Sequence, residues 1–171
     1  NNSSRGQSAA CTAGGQDDEI LVKKGNRMPG LPNHSLKLSL SWRATDALRL
    51  GADLQAFSSQ YARGNENNEH QSGSATDQFG NSRDFSGAGQ LPGYAIVNLN
   101  GNFNLGAGWE LFGRVNNLFD KRYGTAAALA ENPFDSNGAF QNNSDNWKHE
   151  TFIAPGAPRA AWVGIRYRFG K

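Results

Sequence analysis

The sequence predicts an all-β fold, an antiparallel meander of about five or six strands that forms part of a transmembrane β-barrel. The first indication is alternation: residues 36–44 read Leu-Lys-Leu-Ser-Leu-Ser-Trp-Arg-Ala, and similar alternation returns in later stretches. Because a strand sends successive side chains to opposite faces, each strand has an apolar and a polar face. The second indication is composition: only 37% of the 171 residues are apolar and mean hydropathy is −0.66.

Low apolar content combined with ordered strands is typical of membrane barrels, because lipid-facing and lumen-facing residues alternate along each strand. Ten Phe, four Trp and four Tyr in a periodic arrangement argue against disorder. A run of about 18 apolar residues, which a membrane-spanning helix would need, does not occur. The net charge of +2 and the scattered distribution of the 17 basic residues give no reason to expect nucleic-acid binding.

Five strands can be placed along the chain, at residues 36–44, 48–57, 94–105, 109–119 and 161–169. The segments at about 1–32, 64–90 and 124–158 lack a period and are interpreted as long loops, with an edge strand near residues 19–24. Short turns therefore alternate with long loops. This arrangement is typical of barrels in the bacterial outer membrane, whose periplasmic turns are short and whose extracellular loops are long.

Aromatic residues lie near the ends of the predicted strands, where their mixed polarity suits a membrane–water boundary. As a set they favour aromatic girdles. The set is Trp42, Tyr61, Tyr94, Trp109, Tyr123, Tyr167 and Phe169.

The sequence gives no indication of an enzyme or a metal centre. The three histidines, His34, His70 and His149, lie far apart and without metal-ligand spacing, and the polar cluster at residues 66–70 lacks the pattern of a calcium-binding loop. Cys11 is the only cysteine and no Gly-x-Ser-x-Gly motif is present. We therefore expect no catalytic residue, no cofactor and no metal.

Residues 115–123, Val-Asn-Asn-Leu-Phe-Asp-Lys-Arg-Tyr, resemble the penultimate-strand motif of TonB-dependent outer-membrane receptors, written N-L-F-D-x-x-Y. Segments 91–94, 156–159 and 164–169 agree with the same family in order and spacing, and residues 25–34 look like the start of an earlier strand. The matching motif residues are Asn117, Leu118, Phe119, Asp120 and Tyr123.

This resemblance implies that the chain is the C-terminal part of a barrel of about 22 strands that encloses an N-terminal plug. It implies import of an iron–siderophore complex, or of another scarce small-molecule nutrient, with energy delivered through TonB. The implied partners are outer-membrane lipid, the receptor's own N-terminal barrel and plug, the TonB complex and the barrel-assembly machinery. Plug and TonB-contact segment are expected to lie outside this chain.

Two groups of residues acquire expected roles from this resemblance. Ile165, Tyr167 and Phe169 are similar to the signal that the barrel-assembly machinery reads, although Gly170 and Lys171 follow here. Alternation also assigns several arginines to the polar, lumen-facing side, where they could pair with plug carboxylates, attract an anionic substrate or simply be solvated. These arginines are Arg43, Arg49, Arg114, Arg166 and Arg168.

Two alternatives remain open from sequence alone. One is a small, complete β-barrel that does not transport and whose long loops bind a partner. The other is a soluble β-sandwich that binds a ligand and packs its apolar faces together in a core.

Overall fold

The computed structural model describes residues 21–76, 80 and 82–170. A single short 3₁₀ helix, Ser144–Asn146, accompanies the strands within these residues. The strands are β1 (Ser35–Arg43), β2 (Leu48–Phe57), β3 (Gln60–Tyr61), β4 (Gly73–Thr76), β5 (Ser82–Ser86), β6 (Gln90–Leu91), β7 (Tyr94–Gly106), β8 (Trp109–Asn116), β9 (Gly124–Asn132), β10 (Lys148–Pro155) and β11 (Ala160–Tyr167).

The described residues divide into two compact units. One, here called the sheet unit, consists of residues 33–58, 93–123 and 155–170. The other, the loop unit, consists of residues 21–32, 59–92 and 124–154 apart from the undescribed positions. None of the described helical segments has the length and apolar character needed to cross a membrane.

The sheet unit is a five-stranded antiparallel sheet in the order β1-β2-β7-β8-β11. All five predicted strands are present, and β2 has the predicted bounds. The largest difference is at β8, which ends at Asn116 rather than at residue 119. The reason is that Asn117 adopts a φ of 49°, a left-handed conformation that interrupts a strand.

Both short turns lie at the same end of this sheet, where β1 leads into β2 and β7 leads into β8. In the β1–β2 turn, the Thr45 hydroxyl accepts hydrogen bonds from the backbone N–H groups of Ala47 and Leu48, at 3.2 and 2.9 Å. The β7–β8 turn consists of Ala107 and Gly108, whose φ values of 48° and 86° suit a two-residue hairpin turn. A 2.8 Å hydrogen bond from Asn104 N–H to the Ala47 carbonyl links the two turns, which together form the turn rim.

The pairing register joins the apolar sides of all five strands into one surface, here called the apolar face. For example, Leu38 lies opposite Leu54, Leu54 opposite Val97, and Ile165 opposite Leu111. Many of these side chains are exposed, with Leu40 and Val163 each at 71%. The face comprises Leu36, Leu38, Leu40, Trp42, Leu50, Ala52, Leu54, Val97, Leu99, Phe103, Trp109, Leu111, Val115, Val163, Ile165 and Tyr167.

The opposite side of the sheet, here called the polar face, is held by side-chain hydrogen bonds. Ser39 donates its hydroxyl to Asp53 at 2.7 Å, and Asn100 donates its amide to the same carboxylate at 3.5 Å. A Cβ added at Gly51 would lie 2.5–2.9 Å from atoms of the Asn100 carboxamide, which would have to move. These contacts fix the alternation of faces across β1, β2 and β7.

The loop unit corrects the interpretation of segments 64–90 and 124–158 as loops without strands. Strands β4, β5, β10 and β9 form a four-stranded sheet, and β3 pairs with β6. Sequence reasoning overlooked β9, Gly-Thr-Ala-Ala-Ala-Leu-Ala-Glu-Asn, because alanines on both faces remove the apolar–polar alternation. The edge strand predicted near residues 19–24 is also wrong over residues 21–24, which form no strand, while residues 19–20 lie outside the described range.

The polar cluster at residues 66–70 belongs to a tightly bonded bend of the loop unit. Asn65 and Asn67 are buried, the Asn67 side chain accepts from Glu69 N–H at 3.2 Å, and Glu66 accepts from Gly64 N–H at 3.0 Å. The Asn68 amide donates to the backbone carbonyl of Arg27 at 2.9 Å. These side-chain oxygen atoms therefore stabilise the bend itself.

Candidate functional site

The family-motif residue Asn117 joins three parts of the sheet unit. Its amide nitrogen donates to the carbonyls of Lys121 and Ala157, at 2.9 and 3.0 Å, and its side-chain oxygen accepts from Lys121 N–H at 2.9 Å. Its own backbone N–H donates to the Asn98 side chain at 2.9 Å. Because Asn117 is only 2% exposed, these bonds replace water that cannot reach it.

Asp120 and Tyr123 complete the same connection. The Asp120 carboxylate accepts from Arg159 N–H at 3.0 Å, just before β11 begins. Tyr123 packs on Tyr94 with ring centroids 4.4 Å apart, and any side chain at Gly156 would overlap the Tyr123 ring. Asn117, Asp120 and Tyr123 thus position the chain between β8 and β11, whereas Phe119 is 73% exposed.

The five arginines predicted to face the lumen lie at the alternate positions that belong to the polar face, but their surroundings differ. Arg168 and Arg166 both approach the Glu110 carboxylate, at 2.9 and 4.0 Å. Arg114 donates to the Asn116 side chain at 2.9 Å. Arg43 and Arg49 lie directly opposite each other across the β1–β2 hairpin. The structure therefore separates an acid-paired group of arginines from an arginine–arginine pair.

Five of the seven aromatic residues predicted at strand ends form two clusters in the sheet unit, whereas Trp42 lies on the apolar face and Tyr61 belongs to the loop unit. At the turn rim, Tyr167 contacts Trp109 and Phe169, each with a centroid distance of 4.6 Å. At the other end, Tyr94 lies between Phe57 and Tyr123. Phe57 and Tyr94 lie at alternate positions that belong to the polar face. Only the turn-rim cluster therefore extends the apolar face.

The structure brings together two of the histidines that sequence analysis placed in separate contexts. In the loop unit, the His70 ring contacts the Phe85 ring edge-on, with the ring centroids 6.0 Å apart. The His149 ring stacks on the same Phe85 ring, with a centroid distance of 5.0 Å. Burial lowers the pKa of His70 from its usual 6.5, and the charge of His149 lowers it further. A hydrogen bond with the Gly87 backbone acts in the opposite direction and raises the pKa. Within the described part of the chain, no three His, Cys, Asp or Glu side chains are close enough to hold a metal ion.

We expect the loop unit to lose stability as the pH falls below 6.5, the usual pKa of histidine. With its pKa lowered by folding, His70 binds a proton more readily when unfolded, so stability is full above 6.5 and declines as the pH falls towards the folded pKa. Protease cleavage between β3 and β6 in the complete receptor should therefore accelerate on acidification. His70→Leu should weaken this pH dependence and His34→Leu should not; an unchanged dependence in His70→Leu would contradict the assignment.

A second feature of the loop unit is a hairpin that exposes two phenylalanines. Phe134 and Phe140 bridge each other and contact edge-on at 6.0 Å, with exposures of 49% and 58%. The Asp135 carboxylate accepts from the N–H groups of Asn137 and Ala139, both at 2.9 Å. A tightly bonded turn therefore presents the two rings to solvent. Sequence analysis did not single out this pair, although the Asp-Ser-Asn-Gly stretch between the phenylalanines is a turn signal.

Three solved structures with a similar fold are described as a siderophore receptor, a ferric-catecholate import receptor and a ferric yersiniabactin uptake receptor. The siderophore receptor PiuA from Acinetobacter baumannii is 19% identical with a TM-score of 0.52, over 82% of this chain and 14% of PiuA. The closed form of the ferric-catecholate import receptor Fiu from E. coli K12 is 18% identical with a TM-score of 0.50, over 90% and 16%. The ferric yersiniabactin uptake receptor FyuA from Yersinia pestis is 19% identical with a TM-score of 0.50, over 91% and 19%.

The chain thus spans less than a fifth of the length of these structures, and at this identity they show a shared fold. No curated protein matches the sequence. Residues 7–118 match the family model for TonB dependent receptor-like β-barrels. Because this match covers more than half of the sequence, the chain belongs to the TonB-dependent receptor β-barrel family.

Proposed function

We propose that this chain is the C-terminal barrel segment of an outer-membrane receptor that imports an iron–siderophore complex or a similarly scarce nutrient with energy from TonB. The main support for the proposal is the apolar face, which the strand pairing makes continuous across all five strands, together with the polar face on the other side of the same strands. A sheet with this two-sided character suits a barrel wall between hydrocarbon and a wet interior. Family membership supports the same reading.

The apolar face supports a position in the lipid. Its exposed leucine, valine and isoleucine side chains would be costly to leave in water, since burying each such side chain is worth about 1.5–3 kcal/mol. The Trp109–Tyr167–Phe169 cluster at the turn rim suits the interface between hydrocarbon and headgroups. We infer that the turn rim is periplasmic, as short turns are in outer-membrane barrels.

The polar face supports a role as part of the inner wall. Asn98, Asn100, Asn102 and Asn104 follow one another along this side of β7, and asparagine facing hydrocarbon without partners would be costly. The five strands have two edges, β1 and β11, and a closed barrel requires strands from elsewhere to pair with both. We infer that the receptor's remaining barrel strands supply these partners.

The loop unit is the proposed site of ligand contact. Binding residues are commonly placed on loops that a rigid scaffold positions, and this unit is held by its own sheets and buried asparagines. Its hairpin with Phe134 and Phe140 offers apolar, planar surface to an incoming molecule. The proteins PiuA, Fiu and FyuA are described as siderophore, ferric-catecholate and ferric yersiniabactin receptors, and this supports an iron–siderophore complex as the ligand class.

Uptake of radiolabelled iron tests the proposal in a strain that expresses the complete receptor. We expect uptake from at least one ferric siderophore to require both the receptor gene and TonB. In the double variant Phe134→Ala/Phe140→Ala, half-maximal uptake should need about tenfold more ligand, the effect of losing more than 1 kcal/mol of binding. Asn137→Ala, which keeps both rings, is the matched control.

Uptake that persists without TonB would contradict the transport mechanism. Absence of uptake across catecholate, hydroxamate and mixed siderophores would contradict the ligand class. An unchanged concentration dependence in the double variant would leave import in place and remove the phenylalanine hairpin from the ligand site.

A further inference from the structure

The sequence contains two Asn-Gly steps, and the structure places them in opposite surroundings. Asn100 and Gly101 lie inside β7, which is paired with β2 on one side and with β8 on the other. Asn137 and Gly138 lie in the exposed turn of the hairpin at residues 134–140. An Asn-Gly step can modify itself, because glycine has no side chain to shield its backbone nitrogen from the neighbouring carboxamide. Whether either step reacts therefore depends on the fold around it.

The fold holds the step in β7 extended. Backbone pairing continues without a register shift from Leu99 to Asn104, on both sides of Asn100 and Gly101. The Asn100 amide also donates to the Asp53 carboxylate at 3.5 Å. For the glycine nitrogen to reach the carboxamide, the backbone must rotate about the Cα–C bond of the asparagine, and this rotation would break the pairing with both neighbouring strands. Asn100 is therefore protected from the reaction.

The step in the hairpin turn has fewer restraints. Asn137 is exposed, and its carboxamide makes no hydrogen bond with another of the described residues. The Gly138 N–H donates to the backbone carbonyl of Asp135 at 3.0 Å, and this bond must open before the nitrogen can react. It is a single bond in an exposed turn, so a local opening releases it while the sheets stay paired. The turn therefore permits the movement that β7 prevents.

We propose that Asn137 is a site of spontaneous deamidation in the folded receptor. The Gly138 nitrogen gives up its proton to hydroxide and attacks the side-chain carbonyl carbon of Asn137. A new C–N bond forms, the bond to the carboxamide nitrogen breaks, and that nitrogen leaves as ammonia after taking a proton from water. The resulting five-membered succinimide is opened by water at either of its carbonyl carbons, which leaves aspartate or isoaspartate. Water is the only co-reactant consumed.

Either product alters the hairpin that presents Phe134 and Phe140. Aspartate at position 137 adds a negative charge beside the Asp135 carboxylate, which accepts a 2.9 Å hydrogen bond from the N–H of that position. Isoaspartate also inserts a carbon atom into the main chain, inside the stretch closed by the 2.9 Å bond from Asp135 N–H to the Ala139 carbonyl. This closure holds the two rings in contact, so the modification disturbs it. The modification itself does not depend on the proposed function, whereas its effect on uptake does.

Ageing of the purified complete receptor at mildly alkaline pH tests the site. After digestion at acidic pH, peptide mass spectrometry should show progressive loss of the carboxamide at position 137 and its retention at position 100. The loss should accelerate as the pH rises, because the attacking nitrogen must lose its proton. In receptor unfolded by urea, both positions should react at similar rates. Asn137→Gln is the matched control, since its longer side chain would have to close a six-membered ring, and it should keep its carboxamide.

Uptake of radiolabelled iron measures the effect on the hairpin. Ageing should raise the ligand concentration for half-maximal uptake in the unchanged receptor but not in Asn137→Gln, each compared with its own fresh sample. Because fresh samples report transport itself, failure of the proposed function is seen separately.

Two results of the mass measurement would overturn the site. One is a carboxamide at position 137 that survives in the folded receptor for as long as the carboxamide at position 100. The other is equal loss at both positions, because the fold would then select neither. Equal effects of ageing on uptake in the unchanged receptor and in Asn137→Gln would overturn the inferred effect on the rings.

Discussion

Leu40→Arg should remove most of the complete receptor from the outer membrane in folded form, whereas Ser41→Arg, one residue further along β1, should assemble almost normally. Leu40 belongs to the apolar face and is 71% exposed in the sheet unit. With that face in lipid, as proposed, the new guanidinium would enter hydrocarbon. In membrane barrels this change costs about 2–4 kcal/mol near the bilayer midplane and less near the interfaces. Ser41 faces the other way, where arginine at residue 43 is already accommodated.

The folded fraction can be measured by the difference in gel mobility between heated and unheated outer-membrane samples. Urea unfolding in lipid vesicles would give the free-energy difference directly. Equal losses in the two variants would contradict the assignment of faces. A larger loss in Ser41→Arg would reverse it.

Asn117→Ala should destabilise the complete receptor by about 2–4 kcal/mol, because it removes three side-chain hydrogen bonds and leaves buried backbone groups unsatisfied. The lost bonds join Asn117 to Lys121 and to Ala157, which lies in the segment that leads into β11. Alanine also tolerates the left-handed φ of 49° less well than asparagine does. The last strand should therefore separate from β8 before the rest of the sheet unfolds.

Hydrogen exchange in β11, compared with exchange in β1 and β2, measures this local effect. Arg122→Ala is the matched control, because Arg122 lies within the same motif but is exposed. Uniform destabilisation of all five strands would contradict a specific role in holding β11. An unchanged exchange rate in Asn117→Ala would contradict the role altogether.

The sheet unit was predictable because its information is local. Alternation with a period of two assigned faces in 36–44 and 48–57, and register then follows because a slip by one residue would move every apolar side chain to the other side. The observed pairing of Leu38 with Leu54, and of Leu54 with Val97, satisfies this requirement. Short turns supplied the order of the strands.

The loop unit was not predictable because its strands depend on distant partners. Strand β10 pairs in parallel with β5, bringing His149 opposite Phe85, and no local pattern encodes such a pairing. The small core of the loop unit combines residues from separate segments, namely Ala62, Leu91, Ala127 and Leu129. Alanine and polar residues dominate these stretches, so periodicity carries little signal there.

The candidate sites show the same division. The apolar–polar alternation along the sequence is enough to place all five arginines on the polar side. Their division into an acid-paired group and an arginine–arginine pair required the register, which brings Glu110 opposite Arg166 and Arg43 opposite Arg49. Asn117 interrupted the apolar pattern of its strand in the sequence, and the structure explains this by burial, a left-handed backbone and bonds to Ala157.

Oxygen accessibility along β1 tests most directly whether lipid contacts one side of this wall. Nitroxide labels attached in turn to single cysteines at positions 36–43 of the complete receptor in lipid vesicles would report it. We expect molecular oxygen, which concentrates in hydrocarbon, to reach labels at positions 36, 38, 40 and 42 much more readily than labels at the odd-numbered positions. Low accessibility at the even-numbered positions, as in a sealed protein core, would contradict it.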